Sequence, residues 1–333
     1  MGKRQGVNGF LRRIDCFQRE HAWLAIPVAV VKKFGDDGAN REAALIAWWG
    51  FFALFPLLLL FTSVLGFVLA GDPSAQQSIQ HGALSNFPVV GDQIKAGHLH
   101  GNVLAVVIGG VGALLSGIAV TLAVQDAFNK AYAVPKRERP NPLKARMRGL
   151  GLLVILGLLQ ILATGAASVV SLLGGTGAAV VGVAVGLVVN IVLFFAVFRL
   201  LTDSSVPTRH LYPGIALASV LWTALLSVAG IYTKHVIAHA SNTYGLFATV
   251  IGLLTWLYVG ARVLVYSAEI NTVLTASLYP RSLFGEPQTE ADFRAKAAVA
   301  RIEEQVQGER VVARFDRDGS THEMAPPVPH KPT

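Results

Sequence analysis

One stretch of this sequence, from Gly149 to Phe198, contains no Asp, Glu, Lys or Arg. A water-soluble chain carries about 25% charged residues, because its surface has to be hydrated. Here only 14% of the residues are charged and 53% are hydrophobic. The uncharged stretch is also too long for one membrane helix, which crosses ~30 Å of hydrocarbon with about 20 apolar residues. The chain is therefore predicted to be a membrane protein with several spans.

Six segments have the length and composition of a transmembrane helix, and Gly174–Gly177 divide the long stretch into two of them. The spans are predicted at about residues 45–70, 102–124, 149–173, 178–201, 211–233 and 244–268. Pro56 interrupts the first, which membrane helices tolerate better than soluble ones. Before the spans, Phe10–Phe34 has basic residues on both sides of a short apolar run and is predicted to be an amphipathic helix in the membrane interface. A cleaved signal peptide is the competing interpretation, although no A-x-A-like site follows the run.

The predicted fold class is thus all-α, a polytopic membrane protein of six transmembrane helices preceded by an interfacial helix. Its three parts are a segment 1–44, a membrane domain 45–270 and a tail 271–333. In the tail, Thr289 and Asp292 have capping-box-like spacing, which predicts a helix to about Gln307. Val311–Phe315 is predicted to be a short strand, and the Pro-rich end is predicted to be disordered. The single cysteine, Cys16, excludes an internal disulfide.

Basic residues alternate between the two sides of the predicted bundle. Of the 28 lysines and arginines, 25 lie in the N-terminal segment, the second and fourth loops and the tail, and two lie in the outer loops. Cytoplasmic loops of membrane proteins are enriched in Lys and Arg, whereas soluble proteins have no reason to alternate. Both termini are therefore predicted to be cytoplasmic. The net charge of +8 then reflects basic residues held on the cytoplasmic side rather than nucleic-acid binding. The basic loop Lys136–Arg148 is explained by this orientation and by anionic lipid headgroups.

Polar residues inside the spans are candidates for a substrate path, because polar groups in hydrocarbon normally face other helices or a water-filled cavity. Gln160 and Thr164 lie one turn apart in the third span, Asn190 lies in the fourth and Thr223 in the fifth. Gln160 and Asn190 are predicted near the midplane. Close helix packing through interhelical hydrogen bonds is the competing interpretation.

A second polar group is predicted at the cytoplasmic ends of the spans. Arg262 lies about two turns inside the end of the sixth span, with Glu269 seven residues later, and Asp126 ends the second span. A charged side chain at that depth needs a partner or a route to the surface. Asp126 and Glu269 are the predicted partners of Arg262. The group is either an ion pair that fixes helix packing or a gate.

The outer loops contain histidines with the spacing of metal ligands, His235 and His239 at i,i+4 and His98 with His100. The glutamate of a metalloprotease helix is missing from His235–His239. Solvated loop histidines are therefore the prediction, with no metal site. Neither a nucleotide-binding motif nor a coupling-ion site is readable, so no cofactor is predicted and the energy source is left open.

Four motifs occur in order along the chain: the aromatic-rich Ala47–Leu60 containing Phe-Pro-Leu-Leu, the turn Ala131–Pro135 before a basic loop, Leu211–Gly214, and Tyr244–Asn271 ending in Ala-Glu-Ile-Asn. Together they resemble the YihY/virulence factor BrkB family of envelope integrity proteins over residues 10–280. Ser267 replaces the glycine usual in that family. The resemblance implies a bacterial inner-membrane protein linked to envelope integrity and lipid export.

The family was once named for a ribonuclease, but a hydrolytic nuclease needs clustered carboxylates or histidines to hold metal ions. The predicted cytoplasmic segments contain no such cluster, so no enzymatic activity is predicted. Two functions remain open: a transporter or lipid-translocating protein, and a non-transporting scaffold that recruits envelope partners. Membrane lipids are the predicted partners, and a homo-oligomer is left open.

Overall fold

A computed structural model describes residues 13–68, 102–171, 175–232, 246–284, 288–317 and 320–324. These residues form nine α-helices and one antiparallel β-hairpin. The helices are α1 (residues 13–20), α2 (Ala22–Asp36), α3 (Ala39–Val68), α4 (Val103–Ala131), α5 (Pro142–Ser171), α6 (Gly175–Leu201), α7 (Tyr212–Tyr232), α8 (Leu246–Thr275) and α9 (Glu290–Arg301). The strands are β1 (Ala313–Arg317) and β2 (Ser320–Met324), with Phe315 opposite His322.

The all-α membrane fold is confirmed. Five of these helices are long and apolar enough to cross a membrane, and α7 contributes a shorter apolar stretch, Tyr212–Leu226. The described helices therefore support five spans and do not establish the sixth. Large apolar side chains on the long helices are exposed, Trp48 and Phe55 of α3 among them. Such surface is stable in hydrocarbon and unfavourable in water.

Several helices begin or end outside the predicted spans. The second span was expected to end near Val124, but α4 continues to Ala131; the third was expected from Gly149, but α5 begins at Pro142. Hydropathy marks the hydrocarbon, whereas a helix ends where its backbone hydrogen bonds end. The extra turns carry the charged residues that hydropathy excludes.

One end of the bundle, here called the packed end, brings together the beginnings of α3, α5 and α7 and the ends of α4, α6 and α8. Arg148 of α5 lies 3.9 Å from Asp203 after α6. The backbone N–H of Gly214 in α7 donates to Asn271 Oδ1 of α8 (2.6 Å). Thr272 of α8 donates to the carbonyl of Ala131, which ends α4 (2.7 Å). Consecutive helices therefore run in opposite directions from a shared end.

Two glycines allow α3 and α4 to approach closely in the membrane region. A Cβ at Gly109 would lie 2.7 Å from the backbone nitrogen of Leu60, and one at Gly112 would lie 2.8 Å from Pro56 Cβ. Small residues at helix crossings allow this contact between backbones. Pro56 is accommodated inside α3.

The N-terminal segment and the tail cover the packed end. A single interfacial helix over Phe10–Phe34 was expected, but the chain breaks at His21 between α1 and α2. One face of α2 is buried against α8 and α9, with Ala29 and Val30 packed on Val273 and Ala295. The prediction of a helix in the membrane interface therefore missed that one side of α2 packs on other helices. Hydropathy does not show whether an apolar face contacts lipid or protein.

The tail follows its prediction in part. Thr289 and Asp292 form the capping box expected from their spacing, but α9 ends at Arg301 rather than near Gln307. The predicted strand is present as β1. The backbone N–H groups of Lys136 and Arg137, in the α4–α5 loop, donate to the carbonyls of Ile302 and Glu304 (3.2 and 3.0 Å). The Pro-rich end, residues 325–333, lies outside the described residues.

Candidate functional site

The predicted polar path is assembled in part. Asn190 Nδ2 of α6 donates to Thr223 Oγ1 of α7 (3.0 Å), and the threonine hydroxyl donates onward to the Ser219 carbonyl (2.8 Å). Gln160 is exposed on α5, and the side chain of Thr164 lies outside the described residues. The geometry joins two of the four residues in an interhelical hydrogen bond, typically worth about 0.6 kcal/mol. Their role in a substrate path stays a prediction.

The predicted partners of Arg262 are wrong. Asp126 lies 3.7 Å from Arg139, and Glu269 Oε2 lies 2.8 Å from Lys33 Nζ. Arg262 donates to the hydroxyl of Tyr266 (3.1 Å). Seven residues along a helix is about 10 Å, and α2 brings Lys33 to Glu269 from outside the predicted spans. A role of these residues as a gate stays a prediction.

Lys33, Asp37 and Glu269 form a buried cluster at the packed end, here called the triad. Lys33 Nζ donates to Asp37 Oδ2 (2.5 Å), to Glu269 Oε2 (2.8 Å) and to the Ala131 carbonyl (2.8 Å). All three side chains are at most 2% exposed. Burial alone would lower the pKa of Lys33, but the two carboxylates raise it, so the ammonium group stays charged.

A second polar network adjoins the triad. Asn271 Nδ2 donates to the hydroxyl of Tyr132 (2.8 Å), while its oxygen accepts the N–H of Gly214. Burial raises the pKa of Tyr132, so the phenol is neutral. A Cβ at Gly214 would lie 2.0 Å from the Ser267 carbonyl oxygen. Glycine is therefore required for α7 to reach α8 here.

An apolar cavity of about 470 Å³ lies between α2, α7 and α8 and is here called the groove. Ligand pockets are typically 300–1,000 Å³ and mostly apolar, with few polar groups. The groove follows that pattern, since its walls are mainly aliphatic and aromatic and its charged residue is Arg262. Its lining comprises Ile26, Pro27, Val30, Val31, Leu217, Leu221, Val259, Arg262, Val263, Tyr266 and Ile270.

Arg262 is held in the groove by aromatic rings. Its guanidinium carbon lies 5.6 Å from the centroid of Phe34, 5.7 Å from Tyr258 and 5.5 Å from Tyr266. Cation–π contacts of this kind hold a cation without neutralising it. Within the described ranges, no carboxylate lies within 4 Å of the Arg262 side-chain nitrogens. Guanidinium has five N–H donors, so capacity for an anion remains.

The histidines weighed as metal ligands, His98, His100, His235 and His239, lie outside the described residues. In the part of the chain that the structure describes, no group of three or more His, Cys, Asp or Glu side chains could hold a metal ion. That the outer-loop histidines are solvated stays a prediction.

Residues 30–290 match the sequence model of a known family, described as virulence factor BrkB. This chain belongs to the BrkB family. The match begins in α2 and ends at the first residue of α9, so it includes the triad and most of the groove. The resemblance seen in the sequence motifs is confirmed, and the β-hairpin lies beyond the family match.

Curated relatives of this chain carry the name UPF0761 membrane protein. The protein of Acinetobacter baylyi is 20% identical over 271 residues, which cover 77% of this chain and 64% of the relative. That of Pseudomonas paraeruginosa is 25% identical over 281 residues, covering 78% and 65%. A protein of Pseudomonas aeruginosa shows the same identity and coverage. This chain therefore spans about two thirds of the length of these relatives. No solved structure matches it.

Sequence reasoning missed Lys33, Asp37 and the groove. Lys33 and Asp37 have the i,i+4 spacing of a helical ion pair, a signal that was present in the sequence. It was overlooked because the segment was assigned to the membrane surface, where charged residues need no buried partner.

Proposed function

We propose that this BrkB-family membrane protein binds an anionic amphiphile in the groove and moves it between the two leaflets of the membrane. The observation that carries the proposal is a charged arginine, without a carboxylate partner among the described residues, inside an apolar groove. An acyl chain fits the aliphatic walls through the hydrophobic effect. A phosphate or carboxylate headgroup fits the fork geometry of Arg262.

We also propose six spans in a bacterial inner membrane, with both termini cytoplasmic. The N-terminal segment, the predicted second and fourth loops and the tail hold 25 of the 28 lysines and arginines. The described parts of these segments meet at the packed end. Their mutual contacts, such as Gln18 Nε2 to the Arg281 carbonyl (2.7 Å), support a location on one side of the membrane. The enrichment of Lys and Arg in cytoplasmic loops supports the cytoplasmic side.

Lipid selectivity tests the proposal. The purified full chain is analysed by native mass spectrometry with equal amounts of phosphatidylglycerol and phosphatidylethanolamine. We expect retention of the anionic lipid, and about tenfold weaker retention by Arg262→Gln, since a charge-assisted hydrogen bond contributes roughly 1.5–3 kcal/mol. Arg209→Gln, which removes an exposed arginine outside the groove, should behave as wild type. Equal retention by Arg262→Gln and wild type would contradict the proposal.

Movement is measured separately, in liposomes that contain dye-labelled phosphatidylglycerol and a membrane-impermeant quencher. Wild-type protein should speed exchange of the label between leaflets, and Arg262→Gln should not. Selective binding without faster exchange would favour the second candidate, a scaffold. That candidate is supported by exposed apolar residues of the tail, Val306 and Val312, which lie outside the spans. The proposed function includes no catalysed reaction and no binding of nucleic acid.

A further inference from the structure

The triad contains more negative than positive charge. Lys33 supplies one ammonium group, while Asp37 and Glu269 supply two carboxyl groups, all of them buried. An uncompensated charge in a protein interior costs several kcal/mol, so buried groups change protonation state instead. With every group ionised, the triad would hold one excess negative charge.

The ammonium group cannot satisfy both carboxylates completely. Its three N–H bonds go to Asp37 Oδ2, Glu269 Oε2 and the Ala131 carbonyl. Glu269 Oε1 is fully buried and receives no hydrogen bond from the described residues. Leaving a buried carboxylate oxygen without a donor is unfavourable. A proton on one carboxyl group would supply that missing donor.

Among the described residues, no other charged group forms an ion pair with the carboxyl groups of the triad. Asp36 of α2 pairs with Arg281 (2.7 Å). Arg41 of α3 lies beside Gly38, and its side chain forms no ion pair with Asp37 within 4 Å. Tyr132, after α4, is neutral and bonded to Asn271. The described surroundings therefore provide no second cation in contact with the carboxyl pair.

We infer that the triad is a proton-binding site, in which Asp37 and Glu269 share one proton beside the Lys33 ammonium group. The proton comes from water at the packed end and forms one O–H bond on the carboxyl pair; its release returns it to water and leaves two facing carboxylates. Burial raises the pKa of Asp37 above its ordinary value, against the lowering effect of Lys33, which agrees with retention of the proton at neutral pH.

The site adjoins the groove, and this part of the inference rests on the proposed function. Phe34, next to Lys33, stacks on Tyr266 with ring centroids 3.9 Å apart, and Arg262 lies over the same two rings. Loss of the proton would set the carboxylate of Asp37, which follows α2, against that of Glu269 in α8. These helices form two walls of the groove. Protonation therefore favours the closed groove and amphiphile binding.

Infrared spectroscopy of the full chain in phosphatidylcholine nanodiscs tests the proton site. We expect wild-type protein to show the C=O stretch of a buried, protonated carboxyl group at neutral pH. Glu269→Gln and Asp37→Asn should each remove that band. The matched control is Glu42→Gln, since Glu42 is also buried but pairs one-to-one with Lys130. Absence of the band in wild type, or its survival in both triad variants, would overturn the inference.

The link to the groove is measured by phosphatidylglycerol binding at mildly acidic and mildly alkaline pH. Wild-type affinity should fall about tenfold as pH rises, a coupling of ordinary size. Glu269→Gln imitates the protonated state, so this variant should bind phosphatidylglycerol with the same affinity at both pH values. Lipid binding that is insensitive to pH in wild type contradicts the link but not the proposed function. A protonated band without any lipid binding contradicts the proposed function but not the proton site.

Discussion

The triad and the groove lie against the same two helices, α2 and α8, yet they surround a basic side chain in opposite ways. Lys33 is buried and contacts two carboxylates. Arg262 lies among aromatic and aliphatic side chains, with a tyrosine hydroxyl as its hydrogen-bond partner. The first arrangement uses the charge to hold helices together. The second leaves the charge available to a ligand.

The largest effect should follow from removing the ammonium group of the triad. Lys33→Met leaves two buried carboxyl groups without a cation, and breaking a buried ion pair in this way costs about 3–5 kcal/mol. Urea unfolding in mild detergent measures the change. Lys136→Met is the control, because Lys136 and its partner Glu303 are both exposed (42% and 63%) and such pairs contribute only about 0.2–1 kcal/mol.

Equal losses from the two variants would show that the triad is no more important to stability than a surface pair. The contrast between Lys33, which holds helices together, and Arg262, which is available to a ligand, would then be lost.

A smaller loss of stability is expected in the tail when the pH is lowered. Burial alone would raise the pKa of Asp292, but N–H donors from Thr289 and Ser282 and the Arg281 guanidinium lower it to about 2. Because this folded-state pKa lies below the unfolded value of about 3.9, the stabilisation is present above that value and is lost as pH falls through about 2. It is on the order of 2 kcal/mol.

Hydrogen exchange of the α9 amides, corrected for the intrinsic effect of pH, should reveal this loosening of the tail. Asp292→Asn should loosen α9 already at neutral pH, whereas Glu290→Gln, at an exposed side chain, should not. Protection of α9 that is constant down to pH 2 would show that Asp292 does not anchor the tail.

The smallest effect should come from Arg262→Leu. The variant loses the cation–π contacts of Arg262, but the leucine side chain gains apolar contact with the groove walls. The free energy of unfolding should therefore change by less than about 1 kcal/mol. The same urea unfolding measures it, in a lipid-free detergent solution. A loss as large as that from Lys33→Met would mean that Arg262 is structural, and would remove the contrast between the two sites.

Hydropathy and charge were enough to predict the long helices of this fold. The uncharged stretch Gly149–Phe198 predicted two helices separated at Gly174–Gly177. The structure has α5 to Ser171 and α6 from Gly175, inside the predicted break, and Gly174 itself lies outside the described residues. Boundaries at the packed end were missed, as at Pro142, because helices continue into charged sequence when their side chains find partners. Those partners come from distant parts of the chain.

The candidate site was less predictable for the same reason. Asn190 and Thr223 were both singled out, and they meet. Glu269 was singled out as well, but its partner Lys33 is 236 residues away in a helix assigned to the lipid surface. Periodicity shows which face of a helix is polar. It does not show which other helix covers that face.

The tight contact of Gly109 with α3 has a mechanical consequence. Where two backbones touch, no side chain lies between them that could change rotamer and let them slide. We therefore expect α3 and α4 to move together as one rigid body. A rearrangement that admits a lipid would then leave this pair intact and use another connection, such as the short one around Gly38, where a residue with a positive φ of 65° joins α2 to α3. In that arrangement α2 would move, while α3 and α4 would stay in place.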